Sequence, residues 1–251
     1  EAEVAQAEPP RNFFRAVTRQ GRSQQDGETA VIAEIKRRSP SAGLMRPEYG
    51  GNAFDPATIA RAYHRAGAKA ISCLTDEKYF GGGLAYIADI KEAVPLPVLR
   101  KDFIVDEIQL WESRAAGADA VLLIAEALNE RQIVDMLILA QQLRLTVLLE
   151  VHSTENLLRV RPHVGFPHPT YCLLGINNRD LTTMTTDMNH TLRLVDLVED
   201  PGVLVSESGI REPEDLARLR EAGVRIALIG EHLMRQPDPG AALANLLATP
   251  G

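Results

Sequence analysis

Eight short runs that are apolar almost from end to end recur along this chain, most of them 20 to 30 residues apart. They are AVIAEIK from Ala30, AKAISCLT from Ala68, PVLRKDF from Pro97, ADAVLLIAE from Ala118, TVLLEVH from Thr146, CLLGINNR from Cys172, GVLVSESG from Gly202 and RIALIGEH from Arg225. A strand with one face in water alternates apolar with polar residues. A continuous apolar run belongs instead to a parallel sheet covered on both faces. The segments between the runs carry helical periodicity, so the chain reads as repeated βα units.

The punctuation agrees. Ala66-Gly67-Ala68, Ala116-Gly117-Ala118 and Ala222-Gly223-Val224 each close a helical segment just before a strand, with glycine free to adopt the left-handed turn that stops a helix. Asp55-Pro56, Glu212-Pro213 and Ser153-Thr154-Glu155 mark helix starts. An open doubly wound sheet would carry a G-x-G-x-x-G turn after its first strand, and EIKRRSPSAG is not one. The expected architecture is therefore α/β, a (β/α)8 TIM barrel over residues 29–251 preceded by an N-terminal helical extension, 1–28. In that extension the amphipathic piece Asn12–Val17 is expected to pack on the barrel. The stretch from Arg37 to Asn52, with Gly43, Gly50 and Gly51, is either a lid or a surface loop. Gly81-Gly82-Gly83 reads as a flexible turn.

Composition excludes several function classes. A formal charge of −7 disfavours nucleic-acid binding, which rewards clustered Lys and Arg. No run approaches the roughly 18 apolar residues of a membrane span, and EAEVAQAEPPR lacks a cationic segment followed by an apolar one. A soluble, unsecreted, cytoplasmic protein is expected. Cys73 and Cys172 lie in separate strands and read as buried free thiols, with no metal-ligand spacing around them.

In such a barrel, function collects at the carboxyl ends of the strands. Those ends carry Glu34 and Lys36, Lys101 and Asp102, Glu126, Glu150, Asn177 and Arg179, and Glu207 and Ser208. One ion pair there could be structural. A whole ring is costly to bury unless it serves chemistry, and opposed charges at one mouth can separate an acid from a base near neutrality. Ser208-Gly209 after the seventh strand and Gly230 after the eighth could cradle an anion with backbone N–H groups. Glu231 beside Gly230 would have to point away.

The segments IAEIKRRSPSAG, CLTDEKYFGGG, PVLRKDFIVDEIQLWESRAAGADAVLLIAEAL, LLEVHS, LLGINNRDL, VSESGI and ALIGEHLMR resemble, in order and spacing, indole-3-glycerol-phosphate synthase over about Ala30 to Gln236. The resemblance implies a carboxy-lyase of tryptophan biosynthesis. It would act without metal or organic cofactor, converting 1-(2-carboxyphenylamino)-1-deoxyribulose 5-phosphate into indole-3-glycerol phosphate with loss of CO₂ and water. It implies Lys101 as general acid and Glu150 in the dehydration step, assisted by Glu34 and Lys36. Asn177 would position the reacting groups, and Glu207 and Ser208 would complete the site. Arg179, helped by Ser39, would hold the aryl carboxylate, Phe103 and Leu181 would flank the ring, and Gly209 and Gly230 would take the phosphate. Asn178 and Glu231 are expected to vary freely. The implied partner is a small phosphorylated substrate, with no nucleic acid or membrane, and the chain is expected to be a monomer or weak homo-oligomer. Two alternatives are a phosphoribosylanthranilate isomerase-like barrel, which would need a Cys and Asp pair, and a non-catalytic phosphate-ligand-binding barrel.

Overall fold

A computed structural model describes residues 4, 7–18, 28–51, 53–180 and 183–248. Its sheet is a closed parallel barrel of eight strands: β1 Ala30–Ile35, β2 Ala70–Leu74, β3 Val98–Lys101, β4 Ala120–Ile124, β5 Thr146–Val151, β6 Cys172–Asn177, β7 Leu204–Glu207 and β8 Ile226–Ile229. Each falls inside one of the eight apolar runs. β1 closes the ring by pairing with β8 on one side, Ile32 opposite Leu228, and with β2 on the other, Ile32 opposite Ala70.

The helix signals hold. Asp55 caps the helix Pro56–Arg65 by accepting from the N–H groups of Ala57 and Thr58, and Ser153 caps Thr154–Val160. Glu212 begins Pro213–Glu221 with a reciprocal capping pair to Asp215. Gly67, Gly117 and Gly223 all have φ between +85° and +99°, the left-handed stop expected of them.

Because side chains alternate along a strand, each barrel strand feeds two cores. Outward residues such as Val31, Ala33, Ile71, Val121 and Leu149 pack beneath the helices. Inward residues Ile32, Leu99, Leu122, Leu148, Leu173, Val205 and Leu228 fill the barrel. The N-terminal segment closes its lower end. In the helix Phe13–Val17, capped by Asn12, the side chains of Phe13, Phe14 and Val17 join the inner core. Arg11 staples this plug, its guanidinium donating to the carbonyls of Lys91, Val94 and Leu96 and its N–H to Asp119. Asp119 is fully buried and also accepts from Val98 N–H and Lys91 Nζ.

Two loops take defined forms. The stretch after β1 is folded onto the barrel: Arg38–Ser39 pairs with Gly43–Leu44, Met45 and Tyr49 are buried, and Arg46 donates to the carbonyls of Gln236 and Pro237. Gly81-Gly82-Gly83 is sterically specified rather than merely flexible. Gly81 ends the short helix Glu77–Phe80 at φ +63°, and a Cβ on Gly82 would lie 2.2 Å from the Leu74 carbonyl oxygen.

The plug generates a prediction. Phe14→Ala removes a buried aromatic ring far from the charged mouth and should lower unfolding stability by about 3–5 kcal/mol. Denaturant melts check this, and turnover of the remaining folded protein should be unchanged. An unaltered midpoint would show that the plug contributes nothing.

Candidate active site

The alternation that fills the barrel also builds its mouth. Two residues beyond an inward apolar side chain comes an inward polar one: Ile32 then Glu34, Leu99 then Lys101, Leu148 then Glu150, Val205 then Glu207. β6 runs Leu173, Gly175, Asn177. These ends line a cavity of about 500 Å³ together with Lys36, Asp76, Phe80, Phe103, His152, Arg179, Ser208, Gly209, Arg211, Gly230 and Arg235.

At its floor Lys101 Nζ lies 2.9 Å from Glu150 Oε2 and 2.6 Å from Glu207 Oε2. Burial works against the ammonium, but Glu150, Glu207 and Glu34 outweigh it and hold Lys101 above the ordinary lysine range. The two carboxyls respond in opposite directions. Burial and the adjacent Glu150 push Glu207 well above the carboxylate range, against the pull of Lys101. Burial also opposes charge on Glu150, but Lys101 and His152 prevail and hold it down to about 2. Opposite shifts on two adjacent carboxyls separate their roles by environment, Glu150 being the more readily ionised and Glu207 the firmer holder of a proton. Glu34, 2.7 Å from Lys36 Nζ, is disfavoured as an ion by burial but kept below the ordinary range by Lys36 and Lys101. Asp102 turns away to Arg100 and Thr75 instead of pairing with Lys101.

Around the rim, Arg179 donates to Ser41 Oγ at 3.0 Å and to Glu231 Oε2 at 2.8 Å, and Glu231 also receives Arg235. Ser39 is buried and accepts from Ala42 N–H, so Ser41 is the hydroxyl that reaches Arg179. Asn177 Oδ1 accepts from the N–H of Arg179. Phe103 is half exposed at the cavity edge, its ring 6.3 Å from that of Phe80. Leu181 lies outside the described residues.

Two side chains expected to vary freely are tied down. Asn178 is buried, donates to Ser206 Oγ and Ser208 O, and accepts from both N–H and Oγ1 of Thr191. It thereby supports Ser208, whose left-handed φ of +67° is rare for a residue with a Cβ. Glu231 does not point away but lines the cavity, bonded to two arginines.

Glycines shape this floor. A Cβ on Gly230 would come 2.2 Å from Glu34 Oε1, and one on Gly175 would come 2.3 Å from Glu207 Oε1. Gly230 therefore makes room for a carboxylate as well as offering its backbone. Gly175, which its apolar run concealed, does the same for Glu207.

Two predictions follow from these contacts. Gly175→Ala should leave the fold intact but push Glu207 off Lys101, lowering turnover by about tenfold or more, whereas Gly83→Ala, whose Cβ meets only the Tyr86 ring at 3.6 Å, should not. Equal activity of the two variants would refute the packing argument. The second concerns pH. Glu207 binds its proton more tightly folded than unfolded, so its contribution to stability is full below the ordinary value of 4.5 and declines as pH rises toward the raised folded value. Glu207→Gln should abolish that decline and raise the thermal midpoint at neutral pH. Parallel stability profiles for variant and parent would contradict it.

The comparisons with known proteins bear on what this site does. A crystal structure of 3-hexulose-6-phosphate synthase superposes with a TM-score of 0.65 at 18% identity, covering 86% of this chain and 97% of that one, a likeness of fold alone. An indole-3-glycerol phosphate synthase from Acidithiobacillus ferrooxidans is 48% identical over 246 residues, 98% of this chain and 88% of the relative. One from Rhodospirillum rubrum is 46% identical over 246 residues, 98% of this chain and 89% of its own length. The family profile described as indole-3-glycerol phosphate synthase matches residues 1–246. The chain belongs to the indole-3-glycerol phosphate synthase family.

Proposed function

We propose that this chain closes the indole ring of 1-(2-carboxyphenylamino)-1-deoxyribulose 5-phosphate, releasing CO₂ and water to give indole-3-glycerol phosphate. The observation that carries the reading is Lys101 held between Glu150 and Glu207 on the cavity floor. Ring closure puts negative charge on a carbonyl oxygen and then expels that oxygen as water, which needs a proton donor. The dehydration that completes the new five-membered aromatic ring needs a base to take a proton from carbon.

In this reading Lys101 Nζ protonates the carbonyl oxygen as the aryl carbon attacks. The aryl carboxylate leaves as CO₂ and its electron pair returns to the ring. Glu150, ionised in the resting site, takes the proton from carbon and passes it to the departing hydroxyl, which leaves as water. Glu207 and the Glu34–Lys36 pair fix the charge and orientation of these groups, and Asn177 and Ser208 position the sugar chain.

Binding uses the rim. Arg179 exchanges Glu231 for the aryl carboxylate, for which its planar fork is suited. Phe103 lies against the ring. The backbone at Gly209 and Gly230, with Arg211 nearby on the cavity wall, receives the phosphate. Among the described residues no helix is long and apolar enough to cross a membrane, and the proposed compartment is the cytoplasm. The isomerase alternative loses its support, because Cys73 packs in the outer core beneath the helices, away from the cavity.

Incubation with the carboxyphenylamino substrate, following indole absorbance and CO₂, tests the activity. Lys101→Ala should lower kcat by roughly 10² to 10⁴ with KM little changed. Glu150→Gln should fall comparably, with the ring-closed, still hydroxylated intermediate accumulating. Near-normal turnover in folded Lys101→Ala would end the acid assignment, and a Glu150→Gln variant that accumulates nothing would end that of the base.

A further inference from the structure

Glu126, at the end of β4, has no part in the scheme above, yet its side chain is tied to the catalytic floor. Its Oε1 accepts from His152 N–H at 2.8 Å, and its Oε2 lies 3.2 Å from His152 Nδ1. The opposite ring nitrogen, Nε2, lies 3.3 Å from Glu150 Oε1. The remaining oxygen of Glu150 meets Lys101. Four groups therefore lie in series, Glu126, His152, Glu150, Lys101, hydrogen-bonded at both ends and joined in the middle by an ion-pair contact. Side-chain exposure is 26% at Glu126, 8% at His152, 4% at Glu150 and 11% at Lys101. His152 lies in the cavity wall and Glu126 beyond it.

The proposed reaction gives such a series something to carry. The aryl carboxylate leaves as CO₂ without a proton, while the carbonyl oxygen leaves as water with two. Glu150 carries one of these over from carbon to the leaving oxygen and Lys101 supplies the other. Each turnover thus ends with the site one proton short, the deficit resting on Lys101. Its Nζ has Glu150 and Glu207 as hydrogen-bond partners and is nearly enclosed.

We infer that Glu126 and His152 are a proton-entry relay that recharges Lys101 through Glu150 between turnovers. The inference rests on the function proposed above. Solvent protonates Glu126, Glu126 passes a proton to Nδ1, and the Nε2 proton moves to Glu150 Oε1. Rotation of that carboxyl then hands the proton to Lys101 Nζ. Imidazole suits the middle position because it accepts at one nitrogen while donating from the other. Neither residue touches the reacting atoms in this scheme; both act through Glu150, as positioning and supply.

The first turnover starts from a charged Lys101 and needs no relay, and this separates supply from structure. In rapid-mixing experiments with excess substrate, His152→Gln should form about one product per site at close to the parental rate. It should then settle to a steady state lower by about tenfold or more, which added imidazole restores. Glu126→Gln, which keeps an acceptor for His152 N–H, should show the same two phases more mildly. Equal slowing of first and later turnovers, no slowing, or a loss that imidazole does not restore would each overturn the relay. Glu150→Gln measured alongside separates the two claims. If it stays active, the proposed mechanism itself fails; if it is inactive while His152→Gln keeps its steady-state rate, only the relay falls.

Discussion

A lysine ammonium buried between two glutamates, on the floor of an apolar barrel, is the arrangement around which the upper half of this molecule is built. Removing each ion from water costs several kcal/mol, and apolar residues in the same places would pack without that penalty. The site offsets part of the cost by pairing: Lys101 meets both carboxyls at hydrogen-bond distance, and burial and the adjacent Glu150 make Glu207 the harder of the two to ionise. Room for these side chains comes from residues that have none. Gly175 lies against Glu207 and Gly230 against Glu34, and a methyl group at either would collide with a carboxyl.

The lower half supplies what the mouth lacks. Below the charged layer the inward side chains are Ile, Leu, Val and Ala, and the plug Phe13, Phe14 and Val17 seals them from solvent. Asp119 is as deeply buried as the catalytic groups, but it is saturated by Lys91, Val98 N–H and Arg11 N–H at the end of the barrel away from the cavity. Its burial anchors the plug. The same strands thus carry stability at one end and chemistry at the other, and the boundary between them is a two-residue step along each strand.

The barrel was legible because its signals are local: uniform apolar runs, glycine stops and N-caps report the sheet and helices without tertiary information. The floor of the site was legible for a related reason, since polar residues ending apolar runs, Lys101, Glu150 and Glu207 among them, have few structural excuses. Contacts between distant segments were not. Asn178 looked replaceable because nothing nearby in sequence shows that Ser206, Ser208 and Thr191 close around it. Glu231 looked misplaced until Arg179 and Arg235 were found on it. Gly175 hid inside an apolar run, where its lack of a side chain matters most to Glu207 on the neighbouring strand. His152 could have been found, because it continues the inward series Leu148, Glu150 by one further step of two.

The claim on which the rest stands is the protonation pattern of the resting floor, and difference infrared spectroscopy with isotope-labelled glutamate reads it directly. The account predicts a carboxyl band that keeps its proton to higher pH than that of Glu150 and disappears in Glu207→Gln, and a Lys101 nitrogen that resonates as ammonium in a parallel NMR experiment. A Glu207 that ionises no later than Glu150 as pH rises, or a neutral amine between them, would contradict it.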